Sequence, residues 1–197
     1  MKAIKYTILT ILAIAVISCK SNGTKNSDTT NKEEKTLIEL AQNATESQKM
    51  GIWEVEGLRS SHIPTIKSER IKDSTNKELS FFYVYFPGET RFFLKMTGNF
   101  PTTIDDEMAN EFHLKSDNQE ELVVYGSTNY RHDDTSFNMK DAKTIIKYLF
   151  DATSTVTFTI VGKDKTLVYE VPVEGFKEVC KCWFNALQER GMENLLK

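Results

Sequence analysis

The sequence predicts a mainly β protein with an α+β tendency, either an antiparallel β-sandwich or a strongly curved sheet, with one helix between late strands and another closing the chain. Three observations carry that expectation. Apolar and polar residues alternate at period two in several runs, pairs of such runs flank short turn sequences, and the stretches at 141–152 and 176–187 show helical spacing.

In chain order, the first strand is GIWEVEGL (51–58), where Trp53 and Val55 alternate with Glu54 and Glu56 and leave one face wet. ELSFFYVYFPGETRFFLKM (78–96) reads as two strands around Pro87-Gly88, apolar on both faces from Phe81 to Phe86, as a central hairpin would be. From Asn99 to Asn110 the chain is polar, holds Pro101 and the run Asp105-Asp106-Glu107, and is expected to form a loop at the domain edge. EFHLK and ELVVYGS form a further strand pair around Ser116-Asp117-Asn118. The helix DAKTIIKYLFDA follows, with Ile145, Tyr148 and Leu149 on one face and Asn138 and Asp141 as capping residues. STVTFTIVG and TLVYEVPVEG then alternate strictly around Lys163-Asp164-Lys165, which predicts a hairpin with one buried face. Pro172 has the opposite parity and no N–H to donate, so it is assigned to an edge near the strand end. Gly175 breaks the strand before the closing helix, whose stripe of Phe176, Val179, Cys180, Trp183, Phe184 and Leu187 follows i, i+3, i+4, i+7.

The amino terminus carries an address. Lys2 and Lys5 precede the apolar run Tyr6–Ile17, which is too short to span a bilayer and fits a secretory signal. Val16-Ile17-Ser18-Cys19 resembles a bacterial lipobox, which implies a signal peptide over 1–18, diacylglycerol on the Cys19 thiol and acylation of the new amino terminus. Several acyl chains on one residue exceed the two-signal threshold for stable anchoring. The expected protein is therefore a membrane-anchored lipoprotein, and Lys20, rather than Asp, after the cysteine favours the outer membrane. Residues 19–35 hold no large apolar residue beyond the cysteine and read as a flexible tether, leaving 36–197 as one β-rich globular domain.

The formal charge of −3 loses two positive charges, Lys2 and Lys5, with the signal and becomes −5. A mildly acidic chain without a basic stripe argues against nucleic acid and against a polybasic grip on lipid. Cys180 and Cys182, at i and i+2 on a helix, face different directions, so a disulfide between them is not expected. Cys180 belongs to the buried stripe and Cys182 lies off it. His62, His113 and His132 show no metal-ligand spacing, and no nucleophile elbow or phosphate-cradling glycine loop is present, so neither cofactor, metal nor catalytic residue is assigned.

The densest polar cluster is Tyr130-Arg131-His132-Asp133-Asp134. It reads as an acid–base or metal site using His132 with Asp133 or Asp134, as a binding site using Arg131 as an anion hook beside Tyr130, or as a solvated strand end. Trp53 near the domain start, YRHDD, an amphipathic helix and a hairpin running through VYEVPVEGF into a cysteine-bearing helix together resemble the VasI-like accessory proteins of type VI secretion. More distantly they resemble the invasion-associated locus B proteins, over the C-terminal two thirds of the domain. In the resemblance Tyr130, Arg131, Asp133, Gly175 and Phe176 occupy family positions; the chain departs from it in having no cysteine between Cys19 and Cys180. The resemblance implies an envelope-located, non-enzymatic β-rich accessory domain, and a structural role for Arg131 as a buried partner of Asp133 or another carboxylate.

The expected function is thus a lipid-anchored module that binds another envelope component, most plainly a protein. The rivals are an envelope hydrolase or metal-dependent enzyme built on His132 and nearby carboxylates, and a small-ligand carrier or inhibitor domain.

Overall fold

The computed structural model describes residues 47–58, 64–85, 92–104 and 108–192. The signal, Cys19, the tether, His62, the Pro87-Gly88 turn and the Asp105–Glu107 cluster lie outside the described residues. The described chain is mainly β, as its alternating runs predict.

The N-terminal half supplies β1 (Lys49–Met50), β2 (Trp53–Glu56), β3 (Thr65–Ser68), β4 (Ile71–Lys72), β5 (Glu78–Tyr85) and β6 (Phe92–Gly98). The C-terminal half supplies β7 (Ala109–Ser116), β8 (Gln119–Thr128), β9 (Asp134–Phe137), helix α1 (Met139–Asp151), β10 (Thr155–Val161), β11 (Thr166–Pro172) and helix α2 (Phe176–Glu189). The strands form one sheet in the order β1-β2-β3-β5-β6-β9-β8-β7-β10-β11, with β4 also paired to β5. All pairings are antiparallel. Of the two arrangements the sequence left open, the curved sheet is the one present. It curls until its ends approach: β4 lies beside β11, and the Trp53 indole N–H donates to the Pro172 carbonyl at 2.9 Å. Pro172 therefore sits on an edge strand, where its missing donor costs no ladder bond.

The inner face of the curl is filled. Phe176, Trp53, Phe81 and Phe158 stack in succession with ring centroids 4.6, 5.6 and 5.2 Å apart. Phe100, Phe112 and Phe137 form a second chain at 6.3 and 4.9 Å. The strict alternation of β10 and β11 places Val156, Phe158, Ile160, Leu167, Tyr169 and Val171 in this core, as expected. Asn110, assigned from sequence to a loop, is instead fully buried in β7, where its side-chain amide N–H₂ donates to Thr128 Oγ1 at 2.9 Å.

Both helices plug the curl. Asn138 caps α1, its Oδ1 accepting from Asp141 N at 2.9 Å while its Nδ2 donates to the Asp141 carboxylate at 2.7 Å. β9 pairs with β8 only at Ser127 and Thr128, and α1 is tied to the far end of β8. There Tyr148 Oη accepts from Ser116 N at 3.1 Å and donates to Glu120 O at 3.0 Å. Helix α2 starts at Gly175, whose φ of +80° and closeness to Met50, 2.5 Å from where a Cβ would lie, both call for glycine. Its stripe is buried as predicted.

Cys182 corrects the expectation that it lies off the buried face: it is buried with Cys180, and both are free thiols. The reason is the width of the contact. α2 meets β1, β2 and β3 on one side and α1 on the other, where Lys177 lies over the Phe150 ring at 5.4 Å, so a residue beside the main stripe is covered as well. Burial, with the charge of Glu178 added, pushes the Cys180 thiol far up and keeps it protonated.

Candidate functional site

Two adjoining features gather polar chemistry. The first is the turn from Asn129 to Asp133 that links β8 to β9; the second is an open cleft whose lining includes Asp133.

The turn is heavily braced. Asn129 Oδ1 accepts from Arg131 N and Asp133 N, both at 3.2 Å, and Asn129 Nδ2 donates to Asp133 Oδ1 at 2.6 Å. These are the bonds by which an asparagine side chain imitates a backbone turn. The carbonyls of His132 and Asp133 accept from Phe100 N at 2.8 Å and Gly98 N at 3.0 Å, which fastens the turn to the end of β6. His132 adopts a left-handed φ of +56°, uncommon for a non-glycine residue. What the brace displays is Tyr130, 70% exposed, and exposed Arg131, whose Nε donates to Tyr130 Oη at 2.8 Å and whose guanidinium carbon lies 5.3 Å from the ring centroid.

This corrects the buried, framing role the resemblance implied for Arg131. The segment does belong to the frame, but through the Asn129 side chain and the backbone carbonyls of His132 and Asp133. The Arg131 side chain points outward and rests on Tyr130. Nothing in the sequence marked Asn129 as the brace, because Asn, Arg and Asp all suit a polar turn.

The cleft has a volume of about 590 Å³ and is lined by parts of β1, β2, β3, β5 and β6, by Glu69 and Arg70, and by Asp133. A bulge opens it. Lys67 pairs with Phe82 and Ile71 with Leu79, so β3 and β4 contain one residue more than the β5 segment they face. The Ser68 hydroxyl takes over as acceptor for Phe81 N at 3.0 Å, and Glu69 N turns to Ile52 O at 2.7 Å. Glu69 and Arg70 are thereby directed to the rim.

Three cations and four carboxylates line the cleft: Lys49, Lys67 and Arg70 with Glu54, Glu69, Glu78 and Asp133. Most are paired. Lys49 meets Glu69 at 3.1 Å, Arg70 meets Glu78 at 2.6 Å, and Lys67 lies against both Glu56 and Glu54. The hydrogen bond to Glu56 raises the Lys67 ammonium above its ordinary pKa, against a desolvation that acts the other way.

The candidate acid–base residues are not brought together. His132 Nδ1 is buried and has no hydrogen-bond partner among the described residues. Its sequence neighbours are engaged elsewhere, Asp133 with Asn129 and Asp134 with Lys95 at 2.6 Å. His113 is on the outer face of β7, between Glu111 at 2.6 Å and Glu121 at 3.2 Å. Comparison with protein-family models, curated proteins and solved structures finds no match for this chain.

Proposed function

We propose that the chain is a lipid-anchored lipoprotein of the cell envelope, held to the outer membrane through Cys19, whose β-rich domain binds another envelope component, a protein above all, without catalysis of its own. The lipobox-like Val16-Ile17-Ser18-Cys19 supports the anchor. The observation that carries the binding role is the turn at Asn129–Asp133, a rigid device that holds an aromatic ring and a guanidinium in solvent. Tyr and Arg are the residue types that concentrate binding energy at interfaces, and a pre-fixed display lowers the ordering cost of association. The packed interior argues against the small-ligand carrier, because the inner face is occupied by the protein's own aromatic side chains.

Cross-linking of the full-length lipidated protein in its own envelope, followed by capture, tests this. One or a few discrete envelope proteins should be enriched over a membrane control, and Cys19→Ser should move the protein out of the detergent phase or leave it as uncleaved precursor. Enrichment no greater than the control would overturn the binding role, and a Cys19→Ser protein that is cleaved like the parent and still enters the detergent phase would overturn the anchor.

A further inference from the structure

Resting on the reading of this domain as a binding module, we infer that the open edge of β8 takes an extended segment of a partner polypeptide as an added strand in line with β9, a segment of alternating apolar residues that ends on a basic one.

Backbone parity reveals the edge. Thr128 N donates to Met108 O at 2.7 Å, which turns the backbone groups of Thr128, Gly126, Val124 and Leu122 toward β7. Those of Ser127, Tyr125, Val123 and Glu121 therefore point the other way. Ser127 meets Ser136 of β9, but β9 ends at Phe137 and the chain leaves the sheet as α1. The hydrogen bonds that tie α1 back to β8 fall at Gln119 and Glu120. Glu121, Val123 and Tyr125 each keep an N–H and a C=O directed to this edge with no partner among the described residues. Folded proteins usually blunt such an edge with a lysine, a proline or a bulge. Here it carries Val123, 43% exposed, and Tyr125, 57% exposed, on the same face.

The width of the opening selects the occupant. β9 holds β6 and β8 one strand apart, pairing Phe137 with Leu94 on one side and Ser136 with Ser127 on the other, and β6 runs past it to Phe92. At that end the opening admits a single strand, whereas a second copy would bring its β7 along with its β8 and meet β6. A strand continuing the line of β9 is antiparallel to β8, and its alternate residues lie opposite Tyr125, Val123 and Glu121. The first two positions call for apolar side chains. The third lies where the sheet is acidic: β7 and β8 carry Glu111, Glu120 and Glu121 against Lys115, with His113 held between Glu111 and Glu121. Lys143 and Lys147 of α1 have partners of their own. A lysine or arginine is the complement there, while main-chain hydrogen bonds supply affinity along the strand.

The test uses the full-length protein in detergent micelles and the peptide TVTVTKT, blocked at both ends, with amide exchange followed by nuclear magnetic resonance. In the free protein the amides of Val123 and Tyr125 should exchange fast beside slow Val124 and Gly126. Saturating peptide should slow the first pair at least about tenfold. The same peptide methylated on the amide nitrogen of its second valine, which faces Val123, should lose binding, and TVTVTET should bind several-fold more weakly. Val123→Pro removes an N–H that bonds to nothing in the sheet, so it should weaken binding at least about tenfold while leaving the ladder to β7 in place; the methylated peptide decides the matter should this variant not fold. Absence of saturable binding at millimolar peptide, equal binding of the methylated or charge-reversed peptide, or unchanged exchange at Val123 and Tyr125 would overturn the inference. So would protection of these amides by raised protein concentration alone, which would make the occupant a second copy. If Val123→Pro still captures the cross-linked envelope partner, the inference fails and the binding module stands; if the parent protein captures none, the underlying reading fails as well.

Discussion

At Gly126 one methyl group would have nowhere to go: a Cβ built there lies 2.4 Å from Thr135 Cγ2, 2.8 Å from Phe112 and 3.0 Å from Phe137. Gly126→Ala should therefore destabilise the domain by about 1–3 kcal/mol, the usual cost of overpacking, measured by denaturant unfolding. The turn after β8 gives a paired prediction. Arg131→Ala should change stability by less than about 0.5 kcal/mol, as exposed sites do, whereas Asn129→Ala removes the brace and should cost about 1–2 kcal/mol. A reversed order in thermal melts would return Arg131 to the frame. Sequence alone could not separate these two residues, since both are polar, close in the chain and suited to a turn, and only the backbone path shows which side chain turns back onto it. Tyr169 supplies a pH signature. Burial, with a contribution from the Asp73 charge, raises its phenol to about 12 from an ordinary 10.0. The unfolded chain then loses this proton before the folded one, so the stability is fully present below pH 10 and is lost as pH rises through 12. The difference amounts to about 2–3 kcal/mol. Unfolding followed between pH 9 and 12 should show this alkaline loss in the parent, and Tyr169→Phe should flatten it.

Helix α2 shows what one element contributes when it is packed on several sides. Trp183 is fully buried, and its indole N–H donates to the Pro64 carbonyl at 2.9 Å. Trp183→Ala removes the largest side chain of the helix and strands that carbonyl, so a loss of about 3–5 kcal/mol and a sharply lower melting temperature are expected. The helix itself was legible because its apolar spacing is long and regular, and the β10–β11 hairpin was legible because alternation there is strict. The short strands β1, β3, β4 and β9 were not. Two to four residues carry too little periodicity to be read, and these strands exist because neighbours already in the sheet offer them backbone partners. The same limit hid the cleft. Lys67, Glu69 and Arg70 read only as charged residues of a connection, while the bulge that turns Glu69 and Arg70 to the rim is set by the register of β3 and β4 on β5.

Across the whole molecule, local hairpins could be inferred from the chain but their order in the sheet could not, because β9 enters between β8 and β6 by pairing with β6, which is distant in sequence. The curl has its own consequence, which lies in time rather than in space. The protein contains two tryptophans, Trp53 and Trp183, and each reaches a proline carbonyl 119 residues away, Pro172 and Pro64 respectively. Neither indole can acquire its native surroundings until the last strand and the final helix have joined the first strands. Such long-range closure is slow, because the loop entropy must be overcome before any contact compensates it. The intrinsic tryptophan fluorescence is therefore a clock on the last event of folding. In stopped-flow refolding it should lag behind the far-ultraviolet signal of the sheet, and a chain ending after β10 should gain strand signal while its one remaining tryptophan stays in water. Simultaneous development of the two signals would place closure at the start of folding instead of its end.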